Sequence, residues 1–322
     1  MISLIPLTGP GLRYFHLILA SFWHTLIALA LGAILVGSPG PVKGQHLLEP
    51  SDTLHRTRLK GLALGTGAMY GVSLIGLNEL WYAQYERSGF HFVNERRHWQ
   101  QMDKAGHAFT AYYESVAAYH LLRWSGLEAS KSRWYGGLAG FMLQTPIEVL
   151  DGFSRKWGAA PGDIVANAMG SALFIAQQAG WQAQILRLKF SHNPTPFPEH
   201  KPELLGSNPL QQVIKDYNSQ TYWLALPVNQ LIPGAKPLPP WLDLAAGYGA
   251  TGMLGSQQNP REFVNQPRYR QYSLALDIDV SHFETGSRLI NSLLDALSVL
   301  KVPLPGLQYS QVKGLQPQAI TY

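Results

Sequence analysis

Between residues 103 and 178 three apolar, Gly- and Ala-rich segments follow one another, and each carries acidic, His or amide side chains. The first, DKAGHAFTAYYE, holds Asp103, His107 and Glu114. The second, QTPIEVLDGF, holds Gln144, Glu148 and Asp151, and the third, GDIVANAMG, holds Asp163 and Asn167. Offsets of four and seven put such groups on one face of a helix. Ionisable groups within apolar helices are costly, so they find partners or mark a working site. The pattern predicts helices that meet around a shared polar cluster.

The rest of the chain sets the surroundings of that cluster. Charged residues make up 14% of the 322, against about 25% in a typical soluble domain. Nine Trp and fifteen Tyr accompany that low charge, a combination that fits a membrane-associated protein. The fold class expected is therefore mainly α: a hydrophobic helical bundle of about four helices plus an N-terminal signal or anchor, followed by a smaller β-rich C-terminal region. The net charge of +5 is spread without a long basic run, so no nucleic-acid partner is expected. Cysteine is absent, which removes disulfides, thiolate metal sites and the thiol of a lipobox.

Four stretches are expected. Residues 1–44 form a signal peptide or a membrane anchor. The apolar run YFHLILASFWHTLIALALGAILVG is longer than the roughly 7–15 residues of a cleaved signal and nearer a bilayer span. Residues 45–190 form the bundle, with helices expected near 58–84, 103–125, 129–151 and 161–190. Pro146 is expected to kink or break the third. Residues 191–220 are Pro-rich and read as a linker. Residues 221–322 carry strand-like alternation in TYWLALPV, WLDLAAGYGATGML and RQYSLALDIDV, and an amphipathic helix is expected near 286–300. Trp81, Tyr82, Phe90, Phe92 and Trp99 read as an aromatic belt at a membrane surface.

The cluster itself admits two readings. Asp103 and His107, at i and i+4, have the spacing of a carboxylate that orients an imidazole, which suits a general base or a metal's outer shell. The same spacing serves a plain structural bond. Glu148 and Asp151 suit divalent cation binding, with His107 and either Asp103 or Asp163 completing a mixed N/O site. The metal candidates are His107, Glu148 and Asp151. An acidic pair facing Arg155 and Lys156 is the plainer reading. Asp163 can cap the fourth helix, and Asn167, like Gln144, Gln177 and Gln178, can bond across helices. Lys104 is expected to snorkel at an interface. The catalytic candidates are thus Asp103, His107, Glu114, Glu148, Asp151, Asp163 and Asn167. There is no HExxH, GxSxG, P-loop or dinucleotide fingerprint, so no cofactor is expected. Asp277 and Asp279 alternate with apolar residues, which reads as an exposed strand face.

The run MDKAGHAFTAYY, then RWSGL, then RWYGGLAGFMLQTPIEVLDGFSRKWGAAPGDIVANAMGSALFIAQQ, resembles domain-of-unknown-function family 2279. KDYNSQTYWLALPVN, WLDLAAGYGATGML and RYRQYSLALDID look like the C-terminal half of its longer, Bacteroidetes-type members, so the resemblance is taken to cover about 50–322. More distantly, the order DKxxH, Glu, DxxAN is similar to VanZ-like membrane proteins. The resemblance implies a predicted periplasmic lipoprotein or envelope protein and supplies no catalytic residues.

Together these readings lead to a cell-envelope protein at a membrane or on its periplasmic face. Membrane lipids and other envelope proteins are the partners expected. The leading role is structural or accessory. The alternative is an envelope enzyme acting on a lipid or cell-wall precursor through an Asp/His/Glu acid–base or metal site.

Overall fold

A computed structural model describes residues 48–79, 85–231 and 238–322. The expected signal or anchor at 1–44 lies outside the described residues, as do Trp81, Tyr82 and the end of the first expected helix. Two units of comparable standing make up the rest: a group of packed helices and a six-stranded antiparallel sheet.

The helices are α1 (Arg56–Leu77), α2 (Met102–Trp124), α3 (Ala129–Gly137), α4 (Ala139–Gly152) and α5 (Pro161–Gly180). α2 is central and packs against α3, α4 and α5. Its buried residues Ala111, Tyr112, Glu114, Ser115 and Leu121 follow helical spacing. Close approach is set by small residues. A Cβ on Gly140 would lie 1.9 Å from the carbonyl oxygen of Ala111, and one on Gly170 2.2 Å from that of Ala108, so only glycine admits these crossings. A buried hydroxyl knot ties the same helices: Ser115 Oγ lies 2.7 Å from Gly137 O and 3.1 Å from Ser171 Oγ. Ser171 Oγ in turn accepts the Phe141 N–H at 2.9 Å.

The expected hydrophobic helical bundle is corrected on two counts. Among the described residues no helix is long and apolar enough to cross a membrane. α1 begins with Arg56, Arg58 and Lys60 and buries no residue, and the third expected helix is split at Leu138 into α3 and α4. The break comes after the Gly136–Gly137 pair, while Pro146 is carried inside α4. The second count is the β part, which is a full sheet and no minor appendage. It begins at Arg187, where the fourth helix was expected to continue, because that helix ends at Gly180.

The strands are β1 (Arg187–His192), β2 (Gln220–Pro227), β3 (Leu242–Thr251), β4 (Tyr269–Ile278), β5 (Leu304–Ser310) and β6 (Gly314–Thr321), paired in sequence order. Three short helices, α6 (Phe197–His200), α7 (Pro202–Leu205) and α8 (Pro209–Lys215), fill the Pro-rich connection, α9 (Val228–Leu231) follows β2, and α10 (Arg288–Leu297) lies between β4 and β5. The sheet curls. Residues just ahead of β5 reach the free edge of β1, where Phe190 N–H donates to Val299 O at 2.8 Å and Lys301 N–H donates to Phe190 O at 2.9 Å.

Polarity across this curled sheet runs opposite to the expected one. The enclosed face carries Trp223, Ala225, Ala245 and Ala275 together with Lys189, Asp243 and Asp277, all buried. The outer face carries Leu224, Tyr272, Leu274, Leu276, Leu307 and Tyr309, all exposed. Asp277 and Asp279 therefore do not form an exposed strand face. Asp277 makes a close ion pair with Lys189, and Asp279 one with Arg187. The tight curl explains the choice: the enclosed space takes Ala and Gly side by side, as at Gly306, where a Cβ would lie 2.6 Å from that of Ala275. Leu side chains are left outside. Tyr222, Tyr248, Tyr272 and Tyr309 are register neighbours and form one aromatic row across the strands.

Candidate functional site: a buried ionic cluster between three helices

α2 enters from a tight left-handed turn. Trp99, Gln100 and Gln101 have φ of 46°, 52° and 70°, a conformation that costs L-residues roughly 1–2 kcal/mol each. The turn is held from both sides: Gln101 Nε2 donates to Glu95 O at 2.9 Å, Trp99 N–H to Ser256 O at 2.7 Å, and the Tyr248 hydroxyl to Gln100 O. Trp99 thus turns inward against Tyr217, with ring centroids 5.4 Å apart, and does not serve an aromatic belt. The same turn folds Glu95 back over the first turn of α2.

There Lys104 is the hub. Its Nζ lies 2.8 Å from Glu95 Oε2, 2.9 Å from Asp103 Oδ2 and 2.8 Å from Asp163 Oδ1. Its side chain is only 14% exposed, so it points into the protein, and the snorkelling expectation is corrected. Burial pulls the Lys104 ammonium down, but the carboxylates of Asp103, Asp163 and Glu95 outweigh burial and hold it above its usual range. Asp103 is raised, by burial first, with Lys104 opposing.

One turn further along α2, His107 faces α4 and α5. Its Nδ1 is 3.1 Å from Asn167 Oδ1, and its Nε2 is 3.6 Å from Asp163 Oδ1 and 3.9 Å from Glu148 Oε1. Glu148 is 3% exposed, and its other oxygen accepts the Ala160 N–H at 3.2 Å, across the loop that starts α5. Burial pushes the Glu148 carboxyl up to about 8, and the carboxylates of Asp163, Asp151 and Glu95 push in the same direction. Two turns along α2, Glu114 accepts from Gln144 Nε2 at 2.9 Å, and burial pushes its carboxyl up to about 8 as well. Among the described residues Glu114 Oε2 and Asn167 Nδ2 have no hydrogen-bond partner.

Five of the seven candidates thus lie in one cluster: Asp103, His107, Glu148, Asp163 and Asn167. Glu114 belongs to a neighbouring pair with Gln144. Asp151 belongs to neither metal-competent group, which are His107–Glu148–Asp163 and Glu95–Asp103–Asp163 among the described residues. The expected Asp103–His107 pair gives way to two separate allegiances, because Lys104 holds Asp103 and α5 supplies the partners of His107. Of Arg155 and Lys156, expected to face Glu148 and Asp151, the first pairs with Glu86 and the second donates to the Tyr85 hydroxyl. Glu95 escaped notice because it lies nine residues before Lys104 across a non-helical turn, where helical periodicity carries no information. Gln178 does bond across helices, to the Tyr119 hydroxyl at 2.9 Å, while Gln177 pairs with the backbone of Leu186.

The cluster falls inside the matched stretch. Residues 92–178 match domain-of-unknown-function family 2279. The family is described as a predicted periplasmic lipoprotein, which supports a cell-envelope or periplasmic location. The matched stretch is shorter than the 50–322 expected from the sequence, and it runs from the turn that carries Glu95 through α5. No curated protein and no solved structure matches the chain.

Proposed function

We propose that the protein is a cell-envelope protein of structural or accessory type, in which the Lys104–His107 cluster locks α2, α4 and α5 into one register. A single observation carries this reading: one largely buried ammonium, 14% exposed, contacts carboxylates from the preceding loop, from α2 and from α5. Removing one partner of such a network leaves buried charge uncompensated, which costs about 3–5 kcal/mol. Membrane lipids are the first partner of this reading, and other envelope proteins the second. The exposed Leu and Tyr rows on the outer face of the sheet support the lipid partner.

A second reading has its own observation. Glu148 has its carboxyl pushed up to about 8 beside a quarter-exposed His107, the arrangement of an acid–base pair working near neutral pH. The substrate class would be a lipid or cell-wall precursor. His107→Ala and Glu148→Gln separate the two readings. Under the lock, both variants lose melting temperature and cellular abundance. Under the enzyme, they stay folded at wild-type abundance and lose only the cellular phenotype.

A further inference from the structure

We infer that His107, Glu148 and Asp163 form a binding site for one divalent transition-metal cation of the zinc type, which would bridge α2, α4 and α5. The inference rests on the lock reading and names the ion that completes it.

Geometry comes first. The three ligand atoms lie within 4.8 Å of one another, and His107 Nε2 is 3.6 Å and 3.9 Å from the two carboxylate oxygens. Metal–N and metal–O bonds of about 2.0–2.2 Å put neighbouring ligand atoms about 3.4–3.6 Å apart. The Asp163 edge is already at that spacing, and the two edges from Glu148, at 3.9 Å to His107 and within 4.8 Å to Asp163, close by inward movement of its carboxylate. The imidazole is also oriented for the task. Asn167 Oδ1 faces Nδ1 at 3.1 Å, so a ring proton on Nδ1 would satisfy that oxygen and leave the Nε2 lone pair on the side of the carboxylates. Asn167 is itself fully buried, a second layer that fixes tautomer and ring angle. The quarter exposure of His107 leaves an approach for the ion and for a water as fourth ligand.

Charge is the second, independent observation. Among the described residues Glu95, Asp103, Glu148 and Asp163 face one ammonium, that of Lys104, and two imidazoles, His107 and, on the far side at 3.5 Å from Glu95, His98. Asp163 is 5% exposed, and its Oδ1 lies 2.8 Å from Lys104 Nζ and 3.6 Å from His107 Nε2. Carboxylates crowded this closely and largely shielded from water hold a proton, as the raised Glu148 does, or take a further cation in its place. The neighbouring group Glu95–Asp103–Asp163 is already filled by Lys104, so the deficit falls on the His107 side. One imidazole among carboxylates selects a zinc-like ion over magnesium or calcium, which prefer all-oxygen shells.

The test uses the full chain, stripped with a chelator and titrated with zinc chloride, with magnesium chloride as the control. The expected result is one zinc per chain by elemental analysis. The melting temperature should rise by about 5–10 °C at a hundredfold excess over Kd. His107→Ala and Glu148→Gln should lose the bound zinc and the rise, and Asn167→Ala, which keeps all three ligands, should lose about 10–100-fold in zinc affinity. A wild-type chain without stoichiometric zinc, an equal response to magnesium, or ligand variants that bind zinc as the wild type does would each overturn the inference. The lock is judged apart, in zinc-free buffer. If the ligand variants melt lower there, the lock stands whatever zinc does. If they melt as the wild type, the lock fails.

Discussion

Lys104 Nζ lies 2.8 Å from Asp163 Oδ1 and so joins the first turn of α2 to the first turn of α5. The two residues are far apart in the chain, and the contact exists only because Gly170 lets the helices cross at backbone distance. The same ammonium holds Glu95 and Asp103, so its loss is felt by three carboxylates at once.

Lys104→Met should therefore be among the most damaging single changes in the helical unit. It leaves Glu95, Asp103 and Asp163 without their counter-charge, at a cost of about 3–5 kcal/mol. Urea unfolding should show the loss at neutral pH and a smaller loss in acid, where the carboxylates are protonated. An equal loss at both pH values would argue against the ionic account.

Glu114 predicts a pH dependence of stability. Its carboxyl is pushed up from 4.5 to about 8 in the folded protein by burial. Between those values the unfolded chain is ionised and the folded one protonated, so folding holds the proton. Stability from this group is complete below about 4.5 and is lost as pH rises toward 8. Glu114→Gln keeps an acceptor for Gln144 and should flatten the decline in melting temperature over that window. An unchanged pH profile in the variant would remove Glu114 as its source.

Gly140→Ala tests the helix crossing. The added methyl would lie 1.9 Å from Ala111 O, a backbone atom that cannot swing aside. Overpacking of this kind costs about 1–3 kcal/mol. Calorimetry should show a lower melting temperature, whereas Gly61→Ala on α1, where nothing lies within 4 Å, should not lower it.

In the sheet, Lys189 and Asp277 are both fully buried and paired. Lys189→Met alone should cost about 3–5 kcal/mol, because it strands the carboxylate. Adding Asp277→Asn, which can still accept the Val302 N–H that Asp277 Oδ1 takes at 2.8 Å, should recover much of that loss. A double variant no more stable than the single one would show that the pair contributes packing rather than charge compensation.

The strands at TYWLALPV, WLDLAAGYGATGML and RQYSLALDIDV could be read directly, because a period of two is a local property. The helices expected near 103–125 and 161–190 were legible from their own local period, although the second ends at Gly180. What those runs did not disclose was which face each presents. Alternation in β4 separates Leu and Tyr from Asp and Ser equally well whichever side is enclosed, and the narrow Ala- and Gly-lined curl placed Asp277 inside with Lys189.

By itself the sequence determined that Asp103, His107, Glu148, Asp163 and Asn167 ride on helices poor in other charge, and that such groups must meet partners. Only the tertiary structure decided the pairing. Glu95 arrives through a left-handed turn, Lys104 turns inward, and Asp163 replaces Asp151 beside His107 and Glu148. Helical spacing ranks neighbours within one helix, whereas the partners of a buried charge are chosen by the crossing of different helices, which glycine contacts set at a distance in sequence.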